Sequence, residues 1–594
     1  MTIKHRYISL PVAVLGAAMT LMPLSSCDKG FDEMNVNPNA ASADKVDAAY
    51  LLSAVMFRTG MDVSIHQRIQ NLFLDVFSQY VANEGFDSQQ YLPVVGWNND
   101  YWSANYHAGW VKNLNEVIRY ENEVRKGKSN VLQIARIMKC LVSSWFTDIY
   151  GDVPYSQLAD GSGKPAVYDK QEDIYKDLLK ELKEASEALD PDAYTMSDRQ
   201  DIIFKGVIEK WKRFANSLRL RLAMHLTERD PELAKLHAEE AVAAGILRDI
   251  GDEFKAPRSN QWTAQYTNME NGYFYYGHEW DGAAMSRSME YLLTGLGGQP
   301  FPVVKDETGQ VVTPVYDDAG ILLGNPENKA ENPLDPKANR IRVGVPSKVD
   351  PRGPVFFAVT NKGTKASDEV MIEDKKYNML YRWVGVPAGL SPTNKSKIQY
   401  NVKDYARMGD KYTDGMRAYD RLSYQEVCFL RAEGALRGWN MGKDAKSLYE
   451  EGITISMKKN NVPDEVINQY LQSTSPNAYG TTVKFGHNSG AGFNGKPVDT
   501  DLDKIITQKY IGLFPDGSLE AWNDHRRLHK PVLLPFAAPD PSTIKAKDGS
   551  PGNYIKRMTY PPGEKVSNEA NYMDAVNRMG GTDAVSTNVW WDKE

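Results

Sequence analysis

Two long runs of apolar residues, spaced by threes and fours, constrain this chain more than any other feature. Val131, Ile134, Met138, Leu141, Trp145 and Ile149 fall on one side of a helix, because an α-helix returns to the same face about every 3.6 residues. Gly151 and Pro154 end it. A second run holds Val207, Ile208, Trp211, Phe214, Leu218, Leu222 and Leu226, with Lys210, Lys212, Arg213 and Arg219 on the other faces. Between the two, Ile174, Leu178, Leu182, Ala185 and Leu189 mark another helix, closed by Pro191. A later pair runs from Tyr424 to Arg437 and from Lys443 to Lys459, joined by Gly438-Trp439-Asn440-Met441-Gly442. Helix pairs with short turns are the unit of tetratricopeptide-type solenoids, although no clean repeat of about 34 residues is present. A mainly α fold is expected, with scaffold over 44–260 and 416–513. Residues 261–415 and 514–594 are rich in Gly, Pro, Asn and aromatics, with short apolar runs such as Val355-Phe356-Phe357-Ala358-Val359. They are expected to be irregular, with a few strands.

Composition supports a large core. Hydrophobic residues make up 42% of the 594 and charged residues 25%, which excludes a disordered chain. The 77 acidic against 70 basic residues give a net charge of −7, so phosphate-driven binding to nucleic acid is not expected. Residues 1–26 place Lys4 and Arg6 before an apolar stretch from Ile8 to Leu24, the layout of a cleaved secretory signal. Pro11, Gly16 and Pro23 interrupt that stretch, against a spanning helix. Leu24-Ser25-Ser26-Cys27 resembles a bacterial lipobox, in which Cys27 becomes the lipidated first residue. Residues 27–43 then read as a polar tether. Cys140 and Cys428 lie within apolar helix faces, and two isolated cysteines build no disulfide framework.

Aromatic residues concentrate in two segments. Trp262, Tyr266, Tyr273, Phe274, Tyr275, Tyr276, Trp280 and Tyr291 lie among turn-formers. Flat rings with polar tips suit a saccharide, whose C–H face stacks while its hydroxyls reach donors and acceptors. Asn268, Asn271, His278, Glu279 and Asp281 supply such partners. The competing account is that these rings pack the irregular part onto the helices. In the other segment, Trp102, Tyr106 and Trp110 recur at steps of four and lead into a helix, which favours core packing. Trp97 with Asn98, Asn99 and Asp100 precedes that helix and is the better ligand candidate. Tyr381-Arg382-Trp383 reads as an exposed aromatic pair with a guanidinium, or else as a strand with alternating faces.

No catalytic or metal site emerges, and no cofactor is expected. His525 and His529 are four apart but lack a third ligand nearby. Asp499, Asp501 and Asp503 begin like a calcium loop, yet Lys504 stands where its glycine should be. Helix capping ahead of Ile505 is the simpler account. Glu279 and Asp281 form an imaginable carboxylate pair, but sequence spacing cannot certify the separation that glycosidase chemistry needs.

Motifs in order along the chain resemble the SusD/RagB group of outer-membrane lipoproteins, in particular its second SusD-like branch. They are Phe31-Asp32-Glu33-Met34-Asn35-Val36-Asn37-Pro38-Asn39, Thr147-Asp148-Ile149-Tyr150-Gly151-Asp152-Val153-Pro154-Tyr155, and Lys210-Trp211-Lys212-Arg213-Phe214-Ala215-Asn216 through Arg221. Asp350-Pro351-Arg352, Tyr424 through Ala435, Gln508-Lys509-Tyr510 with Glu520-Ala521-Trp522 and Arg526-Arg527, and Tyr560-Pro561-Pro562-Gly563-Glu564 with Trp590-Trp591 complete the set. Tyr510 departs from the expected Trp. The resemblance implies a superhelix of about four tetratricopeptide-like helix pairs, with 261–415 as a ligand-facing subdomain and 514–594 packed on the scaffold. It also implies a lipid anchor at Cys27 in the outer membrane, facing the cell exterior, and a SusC-like TonB-dependent transporter as partner. A non-enzymatic glycan-binding protein follows, with Tyr273, Tyr275, Tyr276 and Trp280 as leading platforms, Trp97 and Trp383 as further ones, and Asn271, Glu279 and Asp281 as polar partners. Peptide capture, a surface glycoside hydrolase and a pure protein-gripping scaffold are the alternatives.

Overall fold

The computed structural model describes residues 47–61, 64–82, 95–257, 283–306, 308–311, 315–316, 321–322, 340–341, 344–360, 369–372, 375–378, 381–386, 405–414, 417–493, 495–534 and 555–593. Helices dominate them. α1 (Ala48–Met61) is followed by a π-helical stretch (Ser64–Leu74). α2 (Val95–Asn99) runs through a second π-helical stretch (Asp100–Val111) into α3 (Lys112–Arg125). Then come α4 (Asn130–Tyr150), α5 (Gln171–Ala188), α6 (Ile208–His225) and α7 (Pro231–Ala244). Each packs on the next, α3 on α4 through α6 on α7, the successive stacking of a tetratricopeptide-like scaffold.

The ends of these helices follow from local chemistry. Ser129 caps α4 by accepting from the Leu132 amide, and Gly151 leaves it at φ +85°, a conformation that favours glycine. Asp230 caps α7 ahead of Pro231. The steps of four at Trp102, Tyr106 and Trp110 coincide with the π-helical stretch, where the wider turn keeps such residues on one side. All three rings are buried, Tyr106 stacked on Phe146 of α4 at 3.6 Å.

The second helical part contains α9 (Tyr424–Leu436), α10 (Ala445–Lys459) and α11 (Asp464–Leu471), preceded by the short α8 (Arg287–Leu293). α12 (Asp501–Gly512) packs on α9 and α10. Its start carries a full capping box between Thr500 and Asp503, while Asp499 accepts from Thr482 and Ser489 and Asp501 from the Gly486 amide. The segment 514–594 is more helical than the sequence pattern indicates, holding α13 (Ser518–Leu528) and α14 (Glu569–Arg578). α13 buries Glu520, Asn523, Asp524, Arg526 and Arg527, so hydrophobic periodicity does not reveal it.

Strands are few and short. β1 (Val81–Ala82), β2 (Phe254–Ala256), β3 (Ala284–Met285), β4 (Phe357–Ala358), β5 (Arg407–Met408) and β6 (Tyr419–Leu422) matter most. One antiparallel sheet has the order β1-β3-β5-β4, with Val81 opposite Met285 and Phe357 opposite Met408. Gly385 lies so close to this sheet that a Cβ there would stand 2.2 Å from the Ser286 carbonyl oxygen. β2 and β6 form a separate antiparallel pair, Asp420 opposite Lys255 and Leu422 opposite Phe254. Arg421 is the extra residue between those two pairings, a bulge that turns its side chain out of the strand's alternation.

Buried charge ties distant parts together. Arg527 of α13 donates to both Glu433 oxygens on α9 at 2.7 and 2.6 Å, and also to Asp524. Arg352 grips Asp350 at 2.7 Å and reaches Gln508 of α12 at 2.7 Å. Burial alone would raise the Glu433 carboxyl, but the Arg527 guanidinium, with Arg437 and Lys509 behind it, holds it down at about 2.

Candidate functional site

A cavity of about 330 Å³ opens where α4, α6, the β2–β6 pair and the turn from α12 into α13 meet. That size lies at the small end of ligand pockets, roughly 300–1,000 Å³. Tyr101, Trp145, Tyr412 and Phe514 give its walls aromatic surface. Cations from several elements also line it: Arg221, Lys255, Lys411, Arg417, Arg421 and Lys459.

Most of these cations are matched. Arg221 donates to both oxygens of Glu426, at 2.6 and 2.7 Å. Arg417 does the same to Asp516, both at 2.6 Å. Lys255 and Lys459 share Glu253, at 3.0 and 2.6 Å. Lys411 and Arg421 differ. Lys411 donates to the Lys459 carbonyl and the Asn460 side chain, and Arg421 to the Thr59 carbonyl while lying over the Tyr419 and Trp145 rings at 4.0 and 4.7 Å. Among the described residues neither meets a carboxylate. Burial, with Arg417 and Lys459 adding repulsion, pulls the Lys411 ammonium down to about 8. Burial also lowers the Arg421 guanidinium, against the pull of Tyr419 and Asp516. Arg417 Nε, Arg421 Nε and Gln425 Oε1 have no hydrogen-bond partner among the described residues.

A second feature is a half-buried ring on α2. Trp97 packs edge-on against Phe73 at 6.0 Å. The next residue fixes its position: Asn98 donates to the Thr559 carbonyl at 2.9 Å and accepts from Tyr150. Asp100, three residues on, forms an ion pair with Arg68, both partly exposed, and Val95 is exposed.

Residues 38–294 match the family described as "Starch-binding associating with outer membrane", and residues 350–592 match "Susd and RagB outer membrane lipoprotein". A SusD homolog from Parabacteroides distasonis is 30% identical, with TM-score 0.75, covering 92% of this chain and 98% of its own. The chain belongs to the SusD/RagB family. A SusD homolog from Flavobacterium johnsoniae, described as chitin-binding, is 25% identical with TM-score 0.67 over 92% of this chain and 99% of its own. A further homolog from Bacteroides ovatus, 23% identical with TM-score 0.65, shares the fold. No curated protein matches.

Against this SusD/RagB background, the expected site residues fare unequally. Tyr273, Tyr275, Tyr276, Trp280, Asn271, Glu279 and Asp281 lie outside the described residues, as does Cys27. Trp97 is partly exposed and packs against Phe73. Trp383 is not: it is fully buried, donates to the Phe357 carbonyl at 2.8 Å and packs edge-on against Phe301. Tyr381 and Arg382 are buried with it, so the expected exposed trio is part of the core. The sequence pattern missed the cavity. Its signal was the cluster Lys411, Arg417 and Arg421 interleaved with Tyr412 and Tyr419.

Two metal-like groupings are structural. His525 Nδ1 donates to the Pro531 carbonyl at 3.1 Å, while His529 caps α13 in a left-handed conformation. Burial pulls His525 down to about 3. Asp148, His225 and Glu520 also bring ligand-type atoms together. These atoms are already engaged: His225 lies 2.9 Å from the Tyr175 hydroxyl and 2.8 Å from Glu520, and Asp148 accepts from Tyr175, Asn523 and Trp591. The set works as a buried polar knot joining α4, α6, α13 and the C-terminal segment. Among the described residues, no helix is long and apolar enough to cross a membrane.

Proposed function

We propose that this protein captures a glycan at the outer surface of the cell and passes it to a partner SusC-like TonB-dependent transporter. It acts by binding, without catalysing a reaction, and is held to the outer membrane by lipid on Cys27. The observation that carries this reading is the match of residues 38–294 to a starch-binding, outer-membrane-associated family. The chitin-binding homolog that spans 92% of the chain supports a carbohydrate ligand. Trp97 adds a physical basis, because a partly exposed ring packed against Phe73 can stack a sugar at little entropic cost.

Calorimetry of the purified full chain against neutral oligosaccharides, polysaccharides and short peptides tests the reading. Saturable heat with a glycan is expected, and Trp97→Ala should weaken it by on the order of 1–3 kcal/mol. Heat from peptides with silence from every glycan would overturn it. Co-purification with a TonB-dependent barrel after crosslinking checks the partner, and release of reducing ends from the bound glycan would contradict a pure binding role.

A further inference from the structure

We propose that the cavity beside Arg421 is a binding site for a uronic-acid unit, a sugar-sized body carrying one carboxylate. The inference rests on the glycan reading for the body of the ligand; the anionic part stands on the cavity itself.

Charge gives the first argument. Six cations line the cavity, against Asp420, Glu426, Asp516 and Glu520, with Glu253 behind two of the lysines. Among the described residues one positive charge is left over, which suits a monoanionic ligand. The surplus lies toward solvent: Lys411 is exposed and the Lys255 side chain is 42% exposed, whereas Arg221, Glu426 and Glu520 are nearly inaccessible. A positive rim over low-dielectric walls concentrates anions at its mouth.

Geometry gives the second. The bulge between Asp420 and Leu422 takes Arg421 out of the strand's alternation, and the residue lines the cavity. Its guanidinium has five N–H donors, and among the described residues its one hydrogen bond is to Thr59. A planar fork with donors to spare suits the two oxygens of a carboxylate. The competing carboxylates are occupied: Arg417 grips Asp516, Lys255 and Lys459 hold Glu253, and Lys459 also reaches Asp420 at 3.4 Å.

The walls give the third. A bare inorganic anion has no use for Tyr412, Trp145 and Phe514, whereas a pyranose ring presents a C–H face to such surfaces.

Titration calorimetry of the purified full chain with digalacturonate, with a neutral disaccharide of equal size, with inorganic sulfate and with a short neutral peptide bearing a free C-terminus tests this. Digalacturonate should bind at low ionic strength at least tenfold more tightly than the neutral disaccharide, and added salt should weaken it. Arg421→Gln should reduce that affinity tenfold or more. Lys411→Ala, at an exposed position, should reduce it several-fold. Equal affinity for acidic and neutral sugars, indifference to both cation variants, or displacement by sulfate or peptide at matching concentration overturns the proposal. Binding of neutral glycans without digalacturonate overturns this inference alone; silence of all sugars overturns the glycan reading and this inference together.

Discussion

Glu433→Gln should make the protein less stable at neutral pH and less sensitive to acid. In the folded chain the Glu433 carboxyl, itself 0% exposed, is held at about 2 against an ordinary 4.5. A carboxyl depressed by folding contributes stability that is fully present above its unfolded value and is lost as pH falls through the folded one. The window is therefore about pH 4.5 down to 2, and at about 1.4 kcal/mol per pH unit the contribution is on the order of 3 kcal/mol. Glutamine keeps the shape but removes the charge facing Arg527, which retains only Asp524 as a carboxylate partner. Leaving a buried guanidinium half-matched costs roughly 3–5 kcal/mol at pH 7. Urea unfolding followed by tryptophan fluorescence, at pH 7 and at steps down to 3, measures both effects. The parent should lose more stability across that interval than the variant, so the gap between them should narrow with acid. A constant gap from pH 7 to 3 would refute the assignment of the acid limb to this pair.

Three further outcomes are expected. Gly385→Ala should destabilise by at least about 1–3 kcal/mol in a thermal melt, because its Cβ would meet the Ser286 carbonyl at 2.2 Å and backbone cannot yield cheaply. Trp211→Ala should cost about 3–5 kcal/mol in urea unfolding, since the ring is fully buried among Phe204, Phe214 and Phe254 and donates to Asp201 at 2.8 Å. Digalacturonate affinity should fall as pH rises through about 8, where the Lys411 ammonium beside Arg417, Lys459 and Asp420 loses its proton, and calorimetry of Lys411→Ala should show a flat profile.

The helices legible in the sequence are those that bury apolar side chains against apolar neighbours. α4 and α6 begin and end within a residue or two of where Val131, Gly151, Val207 and Leu226 place them. α13 was illegible for the opposite reason. Its inward face is Glu520, Asn523, Asp524 and Arg527, residues that pattern analysis assigns to solvent and that only tertiary partners such as His225 and Glu433 allow indoors. Trp383 illustrates the same limit from the apolar side. A ring beside an arginine looks identical in sequence whether it meets a sugar or Phe301. The cavity needed more still, since Trp145, Arg421 and Phe514 converge from positions almost 370 residues apart, and which cations meet carboxylates is decided only by that convergence.

The polar knot at the end of α4 also sets a rule for how the chain can be made. The Asp148 carbonyl accepts from Arg526, its carboxylate from Asn523 and Trp591, and the Tyr150 carbonyl from Arg557. Until synthesis has delivered residue 591, the best-formed helix of the first half ends in polar groups that lack several of their partners. Such a half is not an independent folding unit, however complete its apolar stripe. Truncation or proteolytic clipping near the C-terminus should therefore be felt more than 400 residues upstream, and quality control that recognises exposed α4 ends would reject an unfinished chain as a whole.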